Sequence, residues 1–134
     1  MDDIFVTERD LKELDKLEEW LKTNKYFYRR IDKPGQVIEY ADGVKRLIDD
    51  RHQLKVYRNE RDMKDDLSIW DVICQFGSYG AEHGLLEIMG CPVDEPPWGD
   101  DVEGYLRAED IIYLIENDKK EKEELARVQG VQEL

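Results

Sequence analysis

The stretch that decides the fold is residues 67–76, LSIWDVICQF, because an extended chain of this sequence is apolar on both sides. Alternate side chains of a strand point to opposite faces. One face would carry Trp70, Val72, Cys74 and Phe76, and the other Leu67, Ile69 and Ile73. Such a pattern is typical of the centre of a sheet. Asp71 is the exception and needs a polar partner if it is buried.

Aromatic and β-branched segments on the N-terminal side predict more strands. These segments are residues 26–31, 36–40, 44–48 and 52–57. Asp42-Gly43 is a hairpin signal between the second and the third of them. In an alternative interpretation Asp42 is the N-cap of a short helix over the same residues, and the hairpin is favoured over it. Residues 59–66 are predicted to be a charged connection.

Three segments have helical character. Leucines at helical spacing predict a helix over residues 8–24, with Thr7 as its N-cap. A short helix is predicted over residues 81–89, with Leu85, Leu86 and Met89 facing inward. Residues 90–104 contain three of the four prolines and are predicted to be an irregular surface loop. A last helix is expected to begin at Ala108.

Together these elements predict an α+β fold, in which an N-terminal helix and C-terminal helices pack on an antiparallel sheet of about four strands. The 134 residues are expected to form one domain, with 116–134 as a charged helical extension or frayed tail. The acidic start, Met1-Asp2-Asp3, is unlike a secretory signal, and no apolar run is long enough to span a membrane. The sequence therefore predicts a cytoplasmic protein.

Charge divides the chain in two. Residues 1–66 contain 17 acidic and 15 basic side chains, a net of −2, whereas residues 67–134 contain 16 and 5, a net of −11. The total is −13. Such a surface repels nucleic acid and attracts basic protein grooves. A basic and aromatic stretch around Arg29, Arg30 and Lys33 is the best candidate for direct nucleic-acid binding, but acids are interspersed with it and no direct binding is expected.

Signatures of common catalytic sites are absent from the sequence. It contains no phosphate-binding glycine loop, no GxSxG and no HExxH, and no His or Cys pair has metal-site spacing. No cofactor and no catalytic residue is therefore predicted. The alternative function is a metal-assisted or hydrolytic enzyme that uses His52, Asp71 and His83, with Cys74 nearby. The carboxylates of residues 94–103 could bind a cation weakly, although their spacing is not that of an EF-hand.

The favoured function is recognition of a basic protein by an acidic surface. Carboxylates gathered on one face could imitate a nucleic-acid backbone, and aromatic side chains could anchor the contact. The predicted partner-binding residues are Glu82, Asp94, Glu95, Trp98, Asp100, Asp101, Glu103 and Tyr105. A third interpretation is a housekeeping module in which the acidity serves only solubility. Neither the oligomeric state nor the identity of a partner can be predicted.

Two blocks carry a resemblance. Residues 70–90, WDVICQFGSYGAEHGLLEIMG, and 101–111, DVEGYLRAEDI, are similar to small acidic accessory proteins of phages and mobile elements of Firmicutes and other gut bacteria. The resemblance covers roughly residues 50–115. It implies a setting in which small acidic proteins inhibit host defence nucleases, in the manner of anti-CRISPR proteins. It also implies that the protein acts in a bacterial host cell, and it makes the housekeeping module of the third interpretation a phage protein. It implies no catalytic residue.

Overall fold

The computed structural model describes residues 5–99 and 101–132. Its first helix, α1 (Lys12–Thr23), forms because Leu14, Leu17 and Leu21 recur on one side, and all three are fully buried. The helix begins at Lys12 and not at residue 8, and Thr7 is not its cap. The physical reason is a tertiary contact made by Arg9, which lies just before the helix and pairs with the distant Asp50. This contact, and not the helix axis, sets the path of the preceding residues.

The main sheet is antiparallel and has five strands. They are β1 (Phe27–Lys33), β4 (Arg51–Tyr57), β5 (Ser68–Ile73), β6 (Leu86–Gly90) and β7 (Val102–Leu106), in the spatial order β1-β4-β5-β6-β7. The predicted α+β class is confirmed, and the sheet has one strand more than expected. A separate hairpin consists of β2 (Gln36–Glu39) and β3 (Lys45–Ile48).

The hairpin confirms the turn prediction at Asp42-Gly43. Glu39 pairs with Lys45, and the backbone N–H of Gly43 donates to the Tyr40 carbonyl. The Asp42 carboxylate accepts from the Val44 backbone N–H at 3.0 Å, so it stabilises the turn instead of capping a helix.

The strand predicted at the centre of the sheet is central, but only one of its faces is covered. Trp70 and Val72 are buried against the helices, whereas Leu67 is 59% and Ile69 47% exposed on the other side. Apolar residues on both sides of this strand therefore do not mean that both sides are buried. The reason is that the long helices both pack on one face of the sheet, here called the inner face; the opposite one is the outer face.

Residues 81–89 do not form the predicted helix. A single 3-10 turn, Ala81–His83, ends at Gly84, whose φ of +71° stops a right-handed helix. The chain then enters β6, where Val72 pairs with Ile88. Met89 consequently lies on the outer face and is 42% exposed.

Two further elements replace predicted irregular chain. The connection at 59–66 contains a short helix, α2 (Glu60–Lys64), whose N-cap Asn59 accepts from the Asp62 backbone N–H at 2.8 Å. The second half of the predicted loop 90–104 becomes the edge strand β7, because Val102 and Leu106 pair with β6.

The last helix, α3 (Ala108–Gln132), begins where predicted. Ala108 and Ile111 are buried in the core with the leucines of α1. The apolar contribution ends near Ile115, and every side chain from Lys119 to Gln129 is exposed. The helix nevertheless continues through Gln132, so the chain carries a charged helical arm beyond its core.

Candidate functional site: an acidic groove beside the last helix

A groove lies between the loop after β6 and the first half of α3, and it encloses about 840 Å³. Its apolar lining consists of Val93, Pro97, Trp98, Leu106 and Leu114. Its carboxylates are Glu95 from the loop and Glu109, Asp110, Asp118 and Glu121 from the helix. Tyr113 and Asn117 complete it, and no Lys or Arg lines it.

The loop that forms one wall is held in place by its own turns and by Trp98. The backbone N–H of Gly99, at φ +74°, donates to the Pro96 carbonyl at 3.2 Å. Trp98 packs against the core, and Val93 is buried. The indole Nε1 of Trp98 is also buried, and it has no hydrogen-bond partner among the described residues. An unsatisfied buried donor costs about 1–3 kcal/mol.

Helical spacing explains the opposite wall. Asp110, Leu114, Asn117 and Glu121 follow one another at three- and four-residue steps, so they lie on one side of α3. None of the carboxylates of this helix is among the predicted partner-binding residues, and residues 116–134 were predicted only as a charged extension or frayed tail. Their spacing on one side is the signal that could have identified them.

Few cations balance the carboxylates of the groove. Lys122 contacts Asp118 at 3.1 Å and Asp94 at 3.5 Å, and the hydrogen bond with Asp118 raises the pKa of Lys122. Arg107 is 3.9 Å from Glu109. Within the described part of the chain, Glu95 has neither an ion pair nor a hydrogen bond. The groove is therefore an acidic surface over an apolar floor.

The predicted partner-binding residues do not all meet there. Glu95 and Trp98 line the groove, and Asp94 stands beside it through its contact with Lys122. Asp100 lies outside the described residues. The remaining four are not groove residues: Glu82, Asp101, Glu103 and Tyr105.

Those four residues are placed elsewhere for local reasons. Tyr105 is 63% exposed and stacks on Tyr79, with ring centroids 6.5 Å apart. Glu103 accepts from the Gly104 backbone N–H at 3.1 Å. Glu82 belongs to the 3-10 turn and Asp101 precedes β7. Fewer loop residues than predicted therefore line the groove, and α3 supplies carboxylates that were not predicted.

A buried ionic cluster lies at the other end of the sheet. Arg9 donates two hydrogen bonds to Asp50, at 2.8 and 2.9 Å, and the Asp50 side chain is 0% exposed. His52 Nδ1 is 2.7 Å from Asp32, and its Nε2 is 3.4 Å from Asp50. Burial would raise the pKa of Asp50, but the hydrogen bond and charge of Arg9 outweigh it and hold that pKa below its usual value.

The residues proposed for the alternative enzyme are not brought together. His52 lies on the inner face of β4, whereas Asp71 lies on the outer face of β5 and accepts from Gln53 at 2.7 Å. His83 is exposed in the 3-10 turn, and burial raises the pKa of the Cys74 thiol to about 12. Over residues 5–99 and 101–132, no three His, Cys, Asp or Glu side chains are arranged to hold a metal ion.

Along the described chain, no helix combines the length and the apolar character needed to cross a membrane. Comparison with protein-family models found no matching family, and comparisons with curated proteins and with solved structures found no match.

Proposed function

We propose that this chain is a non-enzymatic binding protein whose acidic groove takes a cationic, partly apolar segment of another protein. The observation that carries the proposal is the lining of the groove: five carboxylates stand over an apolar floor, and no cationic side chain lines it. Groups of one charge in a partly enclosed cleft focus the field and attract the opposite charge.

Arg and Lys side chains suit such a groove because each has an aliphatic stem and a charged head. The stem can cover an apolar floor of residues such as Val93 and Leu114 while the head reaches the carboxylates.

A narrower form of the proposal names the class of partner. A segment rich in Arg and Lys is what nucleic-acid-binding proteins present to a phosphate backbone. The net charge of −13 and the resemblance to phage accessory proteins support a partner of this class, such as a CRISPR effector or another host nuclease. Binding would then block its access to nucleic acid.

The groove is tested by titrating the full chain with a peptide of alternating Arg and Leu, at 50 and 300 mM salt. The double variant Glu95→Lys, Glu121→Lys should bind about tenfold more weakly, since two attractions become repulsions. The control is Asp65→Lys, Glu19→Lys, which makes the same charge change at an exposed loop and an exposed helix position outside the groove. Equal losses in both variants would mean that net charge, and not the groove, attracts the peptide.

The narrower form is tested separately. The chain is used to capture proteins from a bacterial host lysate at low and high salt, and each captured protein is assayed for nucleic-acid binding with and without the chain. We expect a basic protein that is released by salt and that loses nucleic-acid binding when the chain is added. A captured protein that still binds nucleic acid at full occupancy would contradict the blocking role.

A further inference from the structure

The second half of α3 is an arm that does not pack on the core, and in the described part of the chain its one salt bridge to another element joins Lys122 to Asp94. Its side chains are exposed from Lys119 to Gln129, including Leu125 at 58% and Val128 at 43%. These two side chains are three residues apart, so they form one apolar spot on the arm. Helices in water owe most of their stability to packing of an apolar side, so a bare arm of this length gains from a covering partner.

The apolar spot and the groove share one side of α3. Steps of three and four residues align Tyr113, Asn117, Glu121, Leu125 and Val128 along that side. The first three line the groove, and the last two belong to the arm. One continuous helix side therefore presents an acidic groove at its beginning and an apolar spot at its end.

The charges of α3 are ordered in the same direction. Residues 108–118 contain four acids and no base, a net of −4, whereas residues 119–132 contain four bases and three acids, a net of +1. The bases are Lys119, Lys120, Lys122 and Arg127, and the acids are Glu121, Glu123 and Glu124. Two such helices match when they run antiparallel. With Asn117 of one copy opposite Glu121 of the other, Tyr113 comes level with Leu125. Arg127, which pairs with Glu124 in its own helix, then lies within one helical turn of the level of Glu109 and can exchange one partner for the other.

We propose that a second copy of this chain occupies the groove, with the arm of each copy in the groove of the other. The arrangement is a closed twofold pair, so every contact is made twice. It rests on the proposed function in one respect, since both require that the groove accept a cationic, partly apolar segment. It adds regulation of that site: a cationic partner must displace the arm of the second copy.

The dimer is tested by analytical ultracentrifugation of the full chain over a range of concentrations. Arg127→Glu should weaken the dimer about tenfold, because two exposed ion pairs are replaced by repulsion. Glu109→Arg alone should act in the same way, and the double variant Glu109→Arg, Arg127→Glu should restore the dimer. The control is Lys119→Glu, which makes the same charge change as Arg127→Glu on the side of α3 that faces away from Asn117, Glu121 and Val128.

The inference is overturned if the chain is monomeric at all concentrations, if Lys119→Glu weakens the dimer as much as Arg127→Glu, or if the double variant restores nothing. Circular dichroism of each variant checks that α3 stays helical.

The peptide titration separates the two proposals. If the chain is monomeric but binds the Arg-Leu peptide, only the dimer is contradicted. If the chain is dimeric but its Arg127→Glu variant does not bind the peptide, only the proposed function is contradicted. If both hold, Arg127→Glu should bind the peptide more tightly than the unchanged chain, because no arm has to leave.

Discussion

Asp50 joins three separate parts of the chain at one carboxylate. Its carboxylate accepts hydrogen bonds from Arg9, before α1, and from the backbone N–H of Phe76, after β5. It also lies 3.4 Å from Nε2 of His52 on β4. Arg9 is as buried as its partner, with a side chain 3% exposed. Burying two charges is expensive, and the geometry compensates only while both are present.

We therefore expect Asp50→Asn to lower the free energy of unfolding by about 3–5 kcal/mol, because Arg9 would keep a buried charge without a counterion. Urea denaturation at pH 7 measures the effect. Asp49→Asn is the matched control: its side chain is exposed at φ +59°, a backbone conformation that Asn tolerates. A loss below 1 kcal/mol for Asp50→Asn would contradict the structural role of the cluster.

The same cluster predicts how stability depends on pH. The pKa of Asp50 and the pKa of Asp32 are both lowered, although burial alone would raise each of them. Arg9 outweighs burial at Asp50. His52 and Arg30 outweigh it at Asp32. A carboxyl group whose pKa is lower in the folded state stabilises the fold above its unfolded pKa of about 4, and that contribution is lost as pH falls through the folded value. The urea midpoint should thus fall between pH 5 and pH 2. Asp50→Asn should flatten that fall, and an unchanged slope would show that other carboxylates cause it.

Among the elements, two glycines with similar backbone angles differ in their surroundings. Gly35 has φ +68°, and a Cβ there would lie 2.4 Å from the Ile48 carbonyl oxygen, across the start of the hairpin. Gly43, in the hairpin turn, has φ +86° and nothing within 4 Å of such a Cβ. Both positions disfavour a side chain through φ alone, but only Gly35 adds a collision with backbone.

We expect Gly43→Ala to destabilise the chain by about 1–2 kcal/mol, from the left-handed conformation. Gly35→Ala should cost about 1–3 kcal/mol more, because backbone atoms must shift. Thermal or urea unfolding of the two variants gives the comparison. Equal losses would mean that the close approach between Gly35 and β3 does not hold in solution.

Elements with a strong local pattern could be predicted from the sequence. The leucines of α1, the turn at Asp42-Gly43 and the alternation in β4 each identified the element that forms. β6 could not be identified in this way, because Leu85, Leu86 and Met89 also suit a helix, and Leu86–Gly90 becomes a strand only through pairing with its neighbours. α2 was missed although Asn59, three residues before Asp62, is a readable N-cap signal.

The candidate site shows the same limit. Glu95 and Trp98 were found because they sit in a segment that is visibly acidic and aromatic. The α3 carboxylates were missed because a charged helix side looks solvated until a loop is placed across from it. Tyr105 was predicted with them but does not line the groove, since charge counts along the chain do not say which side of an edge strand a residue occupies.

For the whole molecule, the net charge of −13 sets a general condition on stability. Like charges repel across the surface, and salt weakens that repulsion within a Debye length of about 8 Å at physiological ionic strength. Carboxylates that share a groove contribute more than their number suggests. We therefore expect that an acidic binding surface lowers the free energy of unfolding, and that replacing some of its charges would raise it.

This reasoning gives a prediction in which stability and binding move in opposite directions. Glu95→Gln with Glu121→Gln removes two charges from the groove, and we expect the free energy of unfolding to rise by about 0.5–1 kcal/mol while peptide affinity falls. Asp65→Asn with Glu19→Gln removes the same number of charges from exposed positions elsewhere and should change stability by less than about 0.5 kcal/mol. Urea unfolding at 20 and 500 mM NaCl measures both pairs, and the gain of the groove pair should shrink at high salt. Equal gains from the two pairs would show that the repulsion is spread over the molecule and that the groove carries no special share of it.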